Sequence, residues 1–270
     1  MDMKTLTTTL TAVALLLAAC GSGQPGSMPT DFDPDDVILT VTDEGGFAPV
    51  EMILGRHPRY VLQADGRLYA PGAITLIYPG PMLMPVFVGK VSEADMTRIR
   101  QLIEESGLPE IDRVDDTTAT SHVADATTTV ITYFDGSDEH TLSVYALGIA
   151  AERSDMAAAA AELVEALDRA SANLTELEEY RPTRVEIRTG AGLSLPDPEF
   201  RNVQPWPLAV GPDELPETEF GWRCVVVEGP PARDLLELFG TANQATVWDH
   251  DGTEVPLLAR GLMPGEPGCA

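Results

Sequence analysis

The stretch TTTVITYFDGSDEHTLSVYAL, residues 127–147, decides the fold class. Residues 127–134 and 141–147 are rich in Thr, Val, Ile, Tyr and Phe, the side chains that suit a pleated, half-buried surface. Between them stands Asp135-Gly136, a pair that accepts the left-handed backbone of a tight turn. The stretch therefore predicts an antiparallel hairpin. Working outward, the same signal recurs. Asp65-Gly66 separates β-prone residues 59–64 from 67–70, and Asp251-Gly252 separates 245–248 from 253–258. Strands joined by two-residue turns pair antiparallel, whereas parallel strands need a crossover of a dozen residues or more. The solute-binding architecture, with strands alternating with crossover helices, is accordingly disfavoured.

Further strands are expected at residues 37–42, 74–78, 85–91, 183–189 and 223–227. Helices are few. Ser92 followed by Asp95 has the form of a capping box, Met96, Ile99, Leu102 and Ile103 make an apolar stripe, and Gly107 stands where a helix would end. A second helix covers about residues 155–174, rich in alanine, with Leu163, Val164 and Leu167 facing inward. A third runs over 231–239, with Gly240 as its stop. The fold class is therefore α+β: mainly antiparallel sheets built from hairpins, with about three helices packed on them. The order strand–helix–strand–Asp-Gly–strand occurs at 85–147 and again at 223–258, which suggests a duplicated β-α-β-β unit. The pattern restarts near Pro182, dividing the chain into an N-terminal lobe, 37–178, and a C-terminal lobe, 182–270.

Composition narrows the partners. The 270-residue chain carries a net charge of −26, and its only lysines are Lys4 and Lys90. Such a surface repels nucleic acid and anionic lipid headgroups. Apolar residues make up 44% of the chain, enough to bury a core.

Residues 1–19 have a short basic start at Lys4 and an apolar centre at Leu15, Leu16 and Leu17, and then two small residues before Cys20. This is the layout of an export signal, and it is too short and too interrupted by threonine to span a bilayer. Leu17-Ala18-Ala19-Cys20 resembles the lipobox of bacterial lipoproteins. The resemblance implies removal of residues 1–19 and attachment of a diacylglyceryl group to Cys20, two acyl chains that hold a protein stably on a bilayer. The Gly-, Ser-, Pro- and Asp-rich residues 20–36 then read as a lipidated start and flexible tether. With Cys20 assigned to lipid, Cys224 and Cys269 remain as a pair, and outside the cytoplasm a disulfide is expected between them.

Few groups point to chemistry. The histidines are His57, His122, His140 and His250, and no nucleophile elbow, zinc-protease helix or phosphate-binding loop accompanies them. Asp249-His250-Asp251 is the densest polar cluster, but neighbours on a strand point to opposite faces and Asp251-Gly252 already makes a turn. No catalytic residue, metal site or cofactor is assigned. Two proline-rich apolar stretches have the composition of adaptable contact surfaces, with Met82, Leu83, Met84 and Trp206 as candidate anchors for a partner. The same residues suit caps over the protein's own core. Gly45-Gly46-Phe47, the Asp65-Gly66 hairpin and the Ser92 helix resemble small bacterial protease-inhibitor domains of the emfourin kind. The expected function is a protein- or ligand-binding module held at the cell envelope by lipid. An envelope protease inhibitor and a secreted hydrolase with an unrecognised site are the alternatives.

Overall fold

The structure, a computed structural model, describes residues 32–121, 123–190, 192–218 and 221–269. The expected export signal, Cys20 and the expected tether as far as Asp31 lie outside the described residues, as do His122 and Phe220.

The 127–147 hairpin forms as expected: β6 (Thr127–Phe134) pairs antiparallel with β7 (Glu139–Tyr145). Asp135 closes the turn by accepting the Ser137 and Asp138 N–H groups at 2.8 and 2.9 Å. Around it stand β1 (Val37–Gly45), β2 (Tyr60–Gln63), β3 (Arg67–Pro71), β4 (Val86–Lys90), β5 (Arg113–Asp116) and β8 (Thr175–Glu179). Together they make one eight-stranded sheet in the order β5-β7-β6-β1-β2-β3-β4-β8, in which β5–β7 is parallel and the other pairs are antiparallel.

Two long helices cover one face. In α2 (Glu93–Glu105), the Ser92 hydroxyl oxygen accepts the Asp95 N–H at 3.1 Å while Ser92 donates to the Asp95 carboxylate at 2.7 Å. Asp is one methylene short of the usual Glu and takes the hydroxyl rather than the backbone donor. Gly107, at φ 70°, ends the helix as its left-handed residue. The stripe Met96, Ile99, Leu102 and Ile103 packs with Leu163, Val164 and Leu167 of α4 (Asp155–Ala172) over Ile38, Val41, Leu62, Ile131 and Leu142 of the sheet. Two one-turn helices, α1 (Val50–Leu54) and α3 (Leu147–Ala150), were not evident in the pattern, because so short a turn has no periodicity to read.

The second lobe contains β9 (Arg184–Gly190), β10 (Asn202–Pro205), β11 (Trp222–Glu228), α5 (Pro230–Thr241), β12 (Thr246–His250), β13 (Thr253–Val255) and β14 (Leu258–Gly261). They form two three-stranded sheets, β11-β9-β14 and β10-β12-β13, around Val185, Ile187, Phe239 and Trp248. Met263 packs onto Val61, Tyr69, Val86 and Val88, the face of the large sheet opposite the helices. The Tyr180 hydroxyl donates across to the Leu262 carbonyl at 3.2 Å. The result is a helix–sheet–lobe sandwich over β2, β3 and β4.

Three expectations change. Residues 74–78 are not a strand: β3 ends at Pro71, and Leu76 is 99% exposed. Prolines on both sides deny the run a partner to pair with. The α5 helix passes through Gly240 to Thr241 rather than stopping there. Beyond β9 the chain forms β10 and a 3₁₀ turn at Pro212–Glu214 before β11. The shared element order does not carry a shared topology either: β4 and the β6–β7 hairpin lie in one sheet, while β11 and the β12–β13 hairpin lie in two. The lobe boundary is also crossed. Gly80 exchanges hydrogen bonds with Gln244, the Met82 N–H donates to the Ala242 carbonyl at 3.3 Å, and Met82 is buried in the second lobe's core.

Candidate interaction surface

The register of the large sheet gives it two chemically different ends. At one, Val37 lies opposite Gln63, and Arg67 opposite Lys90. There the first described residues are fastened, Phe32 tilting against Phe134 with ring centroids 6.2 Å apart. Asp65 receives the Lys90 ammonium at 2.7 Å and the Arg67 guanidinium at 2.9 Å, and Arg67 also pairs with Asp35. At the other end, Gly45 lies opposite Thr127, Val41 opposite Tyr60, and Pro71 opposite Val86. A nine-residue strand such as β1 separates the two ends by roughly 25 Å.

From this second end, remote from Phe32, emerge the loops 46–59 and 72–85, and they carry apolar side chains into solvent. Phe47 is 91% exposed, Met52 64%, Leu76 99% and Ile77 67%. Tyr78 stands edge-on to Phe200 at 5.3 Å, joining the second loop to the 192–201 segment. Ile149, exposed on α3, follows β7 at the same end. Scattered surface Leu or Phe needs no explanation, but several large apolar groups gathered at one end are costly to leave in water. Acids flank them: Asp43, Glu44 and Glu51 in or beside the first loop, and Asp197 and Glu199 beside Phe200.

The first loop is held from below. Arg56 donates to the Asp43 carbonyl at 2.7 Å, the Ser194 N–H donates to Glu51 at 3.1 Å, and Arg260 donates to the Arg56 carbonyl at 3.2 Å. Beneath it lies a buried polar knot. Glu186, 1% exposed, accepts from Arg188 at 2.6 Å, Arg260 at 3.2 Å and the Cys269 N–H at 2.7 Å. Burial alone would raise the Glu186 carboxyl, but the hydrogen bonds and charges of Arg188 and Arg260 hold it down at about 2.

The residues singled out in the sequence fall as follows. Met82 is buried and Leu83 is partly buried, both in the second lobe's core, and Met84 is half-buried beside them. Trp206 packs on the same core, donates its indole N–H to the Val210 carbonyl at 2.7 Å and meets His250 edge-on at 6.1 Å. Met82, Leu83 and Trp206 therefore cap the core, and the exposed apolar side chains of the same stretch are Leu76, Ile77 and Tyr78. A signal for those side chains was present: residues 71–80, PGAITLIYPG, enclose an apolar run between Pro-Gly pairs.

Cys224 and Cys269 are joined as a disulfide, 2.10 Å between sulfurs. The Glu186 carboxylate lies within 4.8 Å of both sulfurs. Sulfurs spent in a disulfide offer no thiolate, however, and Glu186 is already saturated by its arginines, so the group does not fit a metal ion. His140 is bound to the Ile111 carbonyl at 2.6 Å and to Asp135 at 3.1 Å, a structural arrangement behind the hairpin turn. Among the described residues no helix is long and apolar enough to cross a membrane. The chain matches no family model, no curated protein and no solved structure.

Proposed function

We propose that this protein is a lipid-anchored docking module of the cell envelope, tethered through Cys20, whose apolar end captures a protein partner. The observation that carries the reading is the placement of Phe47, Met52, Leu76 and Ile77 at the sheet end opposite the tether. An anchor at one end and sticky loops at the other suit a surface presented away from the membrane. The acidic flanks select the partner's chemistry: an apolar pocket rimmed by arginine or lysine. They equally disfavour insertion of the same loops into an anionic bilayer.

The anchor has a direct test. Cys20→Ser should move the protein from the membrane fraction to the soluble fraction, and persistent membrane association would sink the lipoprotein reading. The docking surface has another. The double variant Leu76→Ser, Ile77→Ser removes exposed groups only, so its thermal midpoint should stay within experimental scatter of the parent. A photo-reactive side chain at position 52 should cross-link one envelope protein in cells, and the double variant should reduce that yield at least tenfold. Unchanged yield would exclude these loops as the docking surface. A protease as the captured species would favour the inhibitor reading.

A further inference from the structure

We infer that His57 is an acid-sensitive latch that holds the 46–59 loop against the second lobe and thereby controls the apolar surface that the loop presents. The consequence for binding rests on the docking function proposed above, while the acid release of the loop stands independently of it.

The geometry is unusual for a histidine. His57 is 6% exposed, and neither of its ring nitrogens has a hydrogen-bond partner. A neutral imidazole carries one donor and one acceptor, so this ring is buried without either being used. It lies one residue beyond Arg56, whose carbonyl is held by Arg260 of β14, and two beyond Gly55, which sits close to Leu258. The charged groups facing it are Arg260 on β14 and Glu186 on β9. Its chain neighbours turn away: Arg56 donates to the Asp43 carbonyl, and Arg59 binds Asp168 of α4 at 2.9 Å.

A proton added to this ring meets three obstacles. It creates a second unpartnered N–H, it charges a group shut off from water, and it sets a cation beside Arg260. Among the described residues Glu186 is the only opposing charge that faces it, and its oxygens already receive Arg188, Arg260 and the Cys269 N–H. The charged imidazolium is therefore accommodated best when the loop lifts and the ring reaches water. Burial first, and then Arg260, lower the latched ring to about 4, while a released ring titrates near 6.5. The latched form binds the proton more weakly, so it is favoured fully above pH 6.5. It loses ground as pH falls from 6.5 through 4. At pH 5 the ratio of latched to released loop should be about thirtyfold lower than at pH 7.5.

The lift displaces Phe47 and Met52 and leaves Leu76 and Ile77 on their own loop, so a partner that spans both loops is released by acid. The experiment is hydrogen exchange of the full chain at pH 7.5 and pH 5, each corrected for intrinsic exchange. Amides of 50–57 should open about thirtyfold more at pH 5, with β6 amides unchanged. His57→Phe should abolish that pH dependence. As the ring replacement alters packing, an NMR titration of His57 in the parent provides a second reading, and its midpoint should fall well below 6.5. Loop exchange that ignores pH, acid sensitivity that survives in His57→Phe, or a His57 midpoint near 6.5 would each overturn the latch. Acid opening of the loop in a chain that cross-links no partner at pH 7.5 would uphold the latch and defeat the docking function.

Discussion

Replacing both Cys224 and Cys269 by serine should cost about 4 kcal/mol of stability, the chain-entropy value for a crosslink spanning 45 residues. In a protein of this size the thermal midpoint should drop by roughly 10 °C. The effect is large because of what the crosslink pins. The last described residues run from Met263, wedged against Val61, Tyr69, Val86 and Val88, to Cys269, whose N–H caps Glu186. Along that path Arg184 donates to the Glu266 carbonyl at 2.6 Å, and Glu266 accepts the Met263 N–H at 2.7 Å. With the crosslink cut, this segment must be held by those contacts alone, and the seam between the lobes loosens. Thermal melts of the parent with and without reductant, set beside the double variant, check the prediction. The reduced parent should melt with the variant. A variant melting with the oxidised parent would show that the crosslink contributes nothing. Alkylation of denatured, unreduced protein should leave both cysteines unmodified.

Glu186→Gln should cost about 3–5 kcal/mol, the range for removing one partner of a buried ion pair. The amide keeps the shape but withdraws the charge that faces Arg188 and Arg260. Arg260 retains Glu266 at 2.6 Å, so the variant should fold at neutral pH with a lowered denaturation midpoint. The pH dependence has a definite sign. Because the folded carboxyl is depressed from 4.5 to about 2, its contribution is complete above pH 4.5. That contribution is lost as pH falls toward 2. Denaturant melts at pH 7 and pH 3 should therefore show a steep loss in the parent and a shallower one in Glu186→Gln. Equal slopes in the two proteins would mean that Glu186 is not the group titrating. The His57 window, 6.5 to 4, lies above this one, so the two groups can be separated along a single pH series.

Much of the scaffold was legible in the chain because the signals that specify it are local. Asp135-Gly136, Asp65-Gly66 and Asp251-Gly252 each mark a turn between strands, since only a few residue types accept the required backbone. The bounds of α2 follow from Ser92, Asp95 and Gly107 together with one apolar stripe. The disulfide was legible by counting: with Cys20 set aside for the expected lipid attachment, Cys224 and Cys269 remain as a pair.

The exposed surface was less legible, because apolar character does not say which side of the protein a residue faces. Met82 and Leu76 stand six positions apart in similar sequence, yet one is buried in the second lobe and the other is almost wholly exposed. The 74–78 run has the composition of a strand, but with Pro71 and Pro79 on either side it finds no neighbouring edge to pair with. His57 gave no local sign either: its isolation comes from β9 and β14, more than a hundred residues further along the chain.

By itself, then, the sequence determined the hairpins, the long helices, the antiparallel α+β class and the cysteine pairing, because each depends on backbone preferences or on periodicity within a dozen residues. Tertiary structure alone decided the strand order, the burial of Met82, the exposure of Leu76 and Ile77, and the placement of His57 over Glu186 and Arg260. Those depend on which distant segments come to lie against each other, and burial and charge are properties of that assembly.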